Sequence, residues 1–401
     1  MAQYRTFEAL RDACTFTLVV PVQSLEQEGD AKKFGELFPN IKVVAVRCFH
    51  VKPLASMRAR LRRVAEMLLS ASGLRRADKA GESLPYYPFN CLNPDFVMAV
   101  EQEFAKGCDI FQAEFAEMLS LGPFMTGRVT TILVHYQLHF VYARRFLEAN
   151  NATSVNARYL TDRMVREEAA YLNTFDSTIV LSEVDRKAMN SFCPQLAVYV
   201  SPCPSPEEPM TVVLSFGQTC KHFVFVASEA HHPNADGLCW FMKEVWPTIK
   251  HRLPDAIIEV IGQWSLSAQT SVPNHEDIQF AGFVPELGKA LQNKIMIVPV
   301  WIGSGIRTKI LAAWSASCPV VTTTVGVEGL PGNPGEHFIV ADEAPAFASA
   351  CVELSQNRDK LNQMAANGLA LVQRHYSLAA VRKTRLEIYE KLLATPLRSK
   401  S

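Results

Sequence analysis

The stretch that most constrains this chain is residues 295–330, which reads strand, glycine turn, helix, strand, second glycine turn. Residues 295–300 are a short apolar run without polar alternation, the pattern of a parallel strand buried on both faces. Gly303, Ser304 and Gly305 follow, and a helix is expected to begin near Ile306. A helix start carries unpaired N–H groups and partial positive charge, which makes it a ready anion site. Arg307 and Lys309 add two full positive charges where the helix dipole disfavours them, at a cost of about 0.3–1 kcal/mol each. A bound anion would offset that cost, so the segment reads as a phosphate site. The plain alternative is a surface turn whose cations are only solvated.

The same unit recurs along the chain. Strands are expected at residues 15–21, 41–46, 109–114, 129–134, 175–181, 223–227, 256–262, 278–284 and 338–341. Helices are expected at 4–12, 54–69, 94–105, 155–173, 238–253, 345–354, 359–374 and 378–393. A proline-rich segment, with Pro202, Pro204, Pro206 and Pro209, marks a linker. The expectation is α/β: two Rossmann-like doubly wound domains facing across a cleft. The first comprises residues 1–204 with the terminal helix 378–401 packed back on it, and the second comprises 210–375.

A chain of 401 residues can bury two cores, and 48% hydrophobic with 20% charged residues is an ordinary globular balance. Forty acids offset forty bases, so no global field favours nucleic acid. There is no 18-residue apolar run, and the polar start does not read as a signal peptide. Ten scattered cysteines without a CxxC pair or zinc spacing read as reduced thiols of a cytoplasmic protein. Arg58, Arg60, Arg62, Arg63, Arg75 and Arg76 form a basic stretch, read either as a solvated helix face or as a peripheral contact with an anionic membrane.

The string G-S-G-I-R-T-K-I-L-A-A from Gly303, followed by P-V-V-T-T-T-V-G-V-E-G-L from Pro319, resembles the donor-site segment of family-4-type glycosyltransferases with the GT-B fold (glycosyl transferases group 1). The resemblance implies transfer of a sugar from a UDP- or GDP-linked donor, with retention at the anomeric carbon, to a glycan, lipid-linked or protein acceptor. Gly303, Ser304, Gly305 and Ile306 would hold the diphosphate, with Arg307 and Lys309 neutralising it. Gly282, Phe283 and Val284 resemble the turn that faces the nucleobase. His135, after the 129–134 strand, would face the donor sugar, and Glu114 is a candidate on the acceptor side. The bland readings are a satisfied loop histidine and a capping acid. No DxD sequence occurs, so metal-independent chemistry and no cofactor are expected.

The chain departs from the family at several points. Relatives show a strand and glycine-rich loop ahead of a helix similar to residues 3–11, whereas this sequence starts at about that helix. Relatives place Arg and Lys after the strand at 223–227; here stand His231 and His232. The family's ribose-binding glutamate falls on Ala312, where restoring Glu is expected to tighten nucleotide binding. Glu328 remains as the nearby acid. A degenerate GT-B protein acting as a scaffold, and a sugar-nucleotide epimerase sharing the fold, are the alternative readings.

Overall fold

The computed structural model describes residues 2–48, 91–149, 154–211 and 215–396. The expected helix at 54–69 and the basic stretch from Arg58 to Arg76 lie outside the described residues.

Before the proline-rich segment come α1 (Ala2–Leu10), β1 (Phe16–Val22), α2 (Leu25–Leu37), β2 (Ile41–Arg47), α3 (Pro94–Phe104), β3 (Ile110–Glu114), β4 (Thr130–His135), α4 (His139–Ala149), α5 (Val155–Leu172), β5 (Ser177–Val180), α6 (Glu183–Phe192) and β6 (Ala197–Val200). After it come β7 (His222–Val226), α7 (His232–Trp240), α8 (Trp246–Arg252), β8 (Ile257–Ile261), β9 (Ile278–Gly282), β10 (Ile295–Val298), α9 (Thr308–Ser315), β11 (Val320–Thr322), β12 (Ile339–Val340), α10 (Ala344–Ser355), α11 (Arg358–His375) and α12 (Leu378–Leu393). Helix α2 and strand β6 were not expected from the sequence. The first is polar with little apolar periodicity, and the second is too short and too near the prolines.

The strands form three parallel sheets: a pair β1-β2, a sheet β3-β4-β5-β6, and a six-stranded sheet β12-β11-β10-β7-β8-β9. In the last, the order reverses between β7 and β10. Chain connections leave in opposite directions there, and the crevice beyond the strands' C-terminal ends is where open α/β sheets bind ligands. The run 295–298 shows why it had no polar alternation. Ile295 and Ile297 face one apolar cluster while Met296 and Val298 face another, so both sides of β10 are buried.

The terminal helix α12 returns to the first half. Its Ile388, Tyr389 and Leu392 share a buried cluster with Leu10 of α1 and with Ile132, Val134 and Ile179 of β4 and β5. Arg385 on the same helix is fully buried and donates through Nε to Ser201 Oγ at 3.1 Å.

Candidate functional site

A cavity of about 400 Å³ opens between the C-terminal ends of the two larger sheets. The second half contributes the turn after β10 and the start of α7, which are the two sides of the switch point. From the first half come His135, which ends β4, and residues just past β3.

The glycine turn adopts a conformation that needs glycine. Gly303 and Gly305 have φ of 152° and 72°. A Cβ on Gly305 would stand 2.3 Å from the Tyr136 carbonyl oxygen of the first half. The turn is thereby seated on the β4–α4 loop, and the Ser304 hydroxyl donates to the Leu138 carbonyl at 2.9 Å. The helix starts later than expected, at Thr308, with Arg307 as the residue before it. Ile306 belongs to the turn and is buried, because the turn must cross the crevice before the chain can coil.

Arg307 folds back over this turn. Its Nη1 donates to the carbonyls of Ser304 (3.0 Å) and Gly305 (2.5 Å), fixing the guanidinium at the cavity wall. Lys309 donates to Asn234 Oδ1 at 3.0 Å and lies over the Phe225 ring at 4.8 Å. Neither cation forms an ion pair with a carboxylate among the described residues. Burial pushes the Lys309 ammonium down to about 7, and the neighbouring Arg307 charge adds to the effect. Burial likewise lowers Arg307 to about 10. His231, just before α7, lines the same wall; burial lowers its pKa, followed by the charges of Lys309 and Arg307.

Across the cavity, His135 is buried and its Nε2 lies 2.8 Å from Glu168 Oε1 on α5. The fully buried Glu168 also accepts from the backbone N–H groups of His139 (3.2 Å) and Phe140 (2.9 Å), so it caps α4 while orienting the histidine. His135 Nδ1 has no hydrogen-bond partner. His135, His139 and Glu168 bring potential ligand atoms within 4.8 Å of one another, the one group of this kind among the described residues. An ion there would compete with the three N–H donors that already occupy the carboxylate.

The remaining expected site residues are placed elsewhere. Glu328 does not face the cavity as a free acid. Arg145 of α4 clasps it through two contacts of 2.6 and 2.7 Å and also donates to the Gly303 carbonyl at 2.6 Å. Glu114 is engaged by Gln112 and the Tyr136 hydroxyl, beside Tyr389 of α12. Gly282 ends edge strand β9, Phe283 and Val284 follow it, and none of the three lines the cavity, although Phe283 is 75% exposed. Ala312 has no exposed surface and sits in the core of the second half, so a glutamate there would lose its water. Burial therefore sets a packing and desolvation cost against the expected gain in nucleotide binding.

Sequence reasoning did not pick out Glu168, Arg145 or Asn234 as parts of the site. Asn234 follows the strand at the switch point, which was a usable signal. Glu168 and Arg145 act across sequence separations of 33 and 183 residues and gave none.

Residues 220–357 match the family model described as glycosyl transferases group 1. Among curated proteins, an uncharacterized 44.6 kDa protein in the cps region of Klebsiella pneumoniae is 25% identical over 162 residues. The alignment covers 38% of this chain and 42% of that relative. Among solved structures, Anabaena HepE in complex with UDP and glucose is 13% identical with a TM-score of 0.63, covering 98% of this chain and 95% of that one. Sucrose-phosphate synthase from Thermosynechococcus elongatus is 15% identical with a TM-score of 0.61, covering 75% and 78%. The likeness to HepE, over 98% of this chain, carries the fold. Residues 220–357 thus resemble the group 1 glycosyl transferases, within a chain that has the two-Rossmann-half GT-B fold.

Proposed function

We propose that this protein is a glycosyltransferase that takes its sugar from a nucleotide-diphosphate donor bound in the cavity. The observation that carries the reading is the pair Arg307 and Lys309. Two half-buried cations with no carboxylate partner among the described residues stand at a glycine turn on the switch point, where a diphosphate would restore the charge balance. The group 1 match over residues 220–357 supports it, as does the likeness to HepE, which binds UDP and glucose.

In the transfer, an acceptor hydroxyl oxygen bonds to the anomeric carbon while the bond from that carbon to the diphosphate oxygen breaks. The electron pair leaves with the diphosphate and the hydroxyl proton ends in solvent. Arg307, Lys309 and the first N–H groups of α9 meet the negative charge as it grows, the role that a metal plays in other transferases. His135, held by Glu168, faces the sugar with Nδ1. We place the reaction with retention, toward a glycan, lipid-linked or protein acceptor, in a reducing cytoplasm that suits ten free cysteines. Among the described residues, no helix is long and apolar enough to cross a membrane.

Ala312 and the clasped Glu328 favour a second reading, a scaffold that has lost its donor, because neither supplies a free acid for a ribose. Calorimetric titration with UDP and GDP separates the two. Arg307→Ala should weaken nucleotide binding by about 1.5–3 kcal/mol, the range for a hydrogen bond to a charged group. Equal affinity in the variant would remove the diphosphate assignment, and no binding to the wild type would select the scaffold.

A further inference from the structure

Phe115, the first residue past β3, has φ 70° and ψ 158°. Asn274, Asn293 and Ser317, the other described non-glycine residues with positive φ, lie at 50–55°. Asparagine tolerates that left-handed region, whereas a bulky residue with φ above zero and an extended ψ is a strained outlier. Core packing does not offset this cost, because Phe115 is 40% exposed. Its ring lies in the cavity wall and stacks on Tyr136, with centroids 4.7 Å apart and planes tilted by 34°. Strain held for an exposed ring in a cavity points to something that the ring binds.

We propose that Phe115, backed by Tyr136, is the platform for the acceptor sugar, and that the acceptor presents a pyranose ring with an apolar C–H face. This rests on the donor reading above. The phosphate turn is seated on the β4–α4 loop through Tyr136 and Leu138. Phe115 stands off the end of the next strand, β3, about 4.8 Å further along the sheet. A ring on Phe115 is therefore offset by one strand from the loop that seats the phosphate turn, which leaves room in the same cavity for a second sugar. A pyranose has one face of C–H groups for an aromatic surface and a rim of hydroxyls. Glu117, Gln137 and His139 line the cavity around the platform with groups suited to that rim. A nucleobase would need polar edge contacts instead of rim hydroxyls, and the phosphate cations fix the nucleotide on the opposite wall.

The test is saturation-transfer NMR on wild type with saturating UDP and a mixture of methyl gluco-, galacto- and N-acetylglucosaminides. Phe115→Gly serves as the strain-free variant and Phe115→Trp as the platform-preserving one. The expected result is saturation of C–H hydrogens on one ring face in wild type. The signal falls at least five-fold in Phe115→Gly and is retained in Phe115→Trp, while the thermal midpoint of Phe115→Gly is unchanged or raised. Equal saturation in wild type and Phe115→Gly, or none in UDP-bound wild type, overturns the platform. The mixture is also applied without nucleotide. Failure of UDP to bind in calorimetry would overturn the donor reading, and ring-face saturation dependent on Phe115 in the nucleotide-free arm would then still support the platform.

Discussion

Lys309 sets the pH behaviour of the site. Its ammonium titrates near 7 in the folded protein, lowered first by burial and then by Arg307. In the unfolded chain it titrates at about 10.4. Between these values the unfolded state holds a proton that the folded state lacks, so this group makes stability rise with pH across that window. It contributes no slope below about 7, where both states are protonated. A diphosphate restores the charged form, so nucleotide binding should take up a proton above pH 7, and affinity should fall as pH rises from 7 to 9. Calorimetry in buffers of different ionisation enthalpy reads that uptake, and Lys309→Met should abolish it. A pH-independent affinity in wild type would remove Lys309 from the site. At Ala312 the fully buried position makes Ala312→Glu an overpacked, desolvated charge. Overpacking alone should cost about 1–3 kcal/mol in chemical denaturation, with no gain in UDP affinity.

Helix α9 is held by close packing. It lies against α11 with Trp314 fully buried, and a Cβ on Gly368 would stand 2.5 Å from Trp314 Cδ1. Alanine normally improves a helix by about 1 kcal/mol over glycine. Here the ring is enclosed, so an overpacking cost of about 1–3 kcal/mol set against that gain should leave Gly368→Ala less stable by up to about 2 kcal/mol. Thermal denaturation measures it, and a stabilised variant would show that the two helices can separate at no cost. Because α9 begins directly after Arg307, its displacement should also weaken nucleotide binding.

At the scale of the molecule, the two halves meet at the glycine turn of residues 303–305. Arg145 of α4 ties Glu328 and the Gly303 carbonyl together, and Ser304 reaches Leu138. The Arg145–Glu328 pair is partly shielded from water, with each side chain about one quarter exposed. A double-mutant cycle with Arg145→Ala and Glu328→Ala should give a coupling of roughly 0.5–3 kcal/mol in stability. Either single variant should weaken UDP binding by releasing the turn from the first half. Additive effects would show that the pair contributes nothing to joining the halves.

The α/β class and the glycine turn with its two cations were legible in the sequence alone. Both are written in short-range patterns: apolar runs of strand length, a glycine turn, and cations placed against a helix dipole. The terminal helices could be read for the same reason. Tertiary structure alone decided which acids are available, because a carboxylate's state depends on partners that sequence spacing does not reveal. Glu328 was the nearby acid of the sequence reading, and Arg145, 183 residues away, pairs with it. Ala312 looked like an open place for a glutamate until the packing of α9 enclosed it. Glu168 had no motif at all; it becomes part of the site because α5 carries it beneath the end of β4, where it meets His135 and the start of α4.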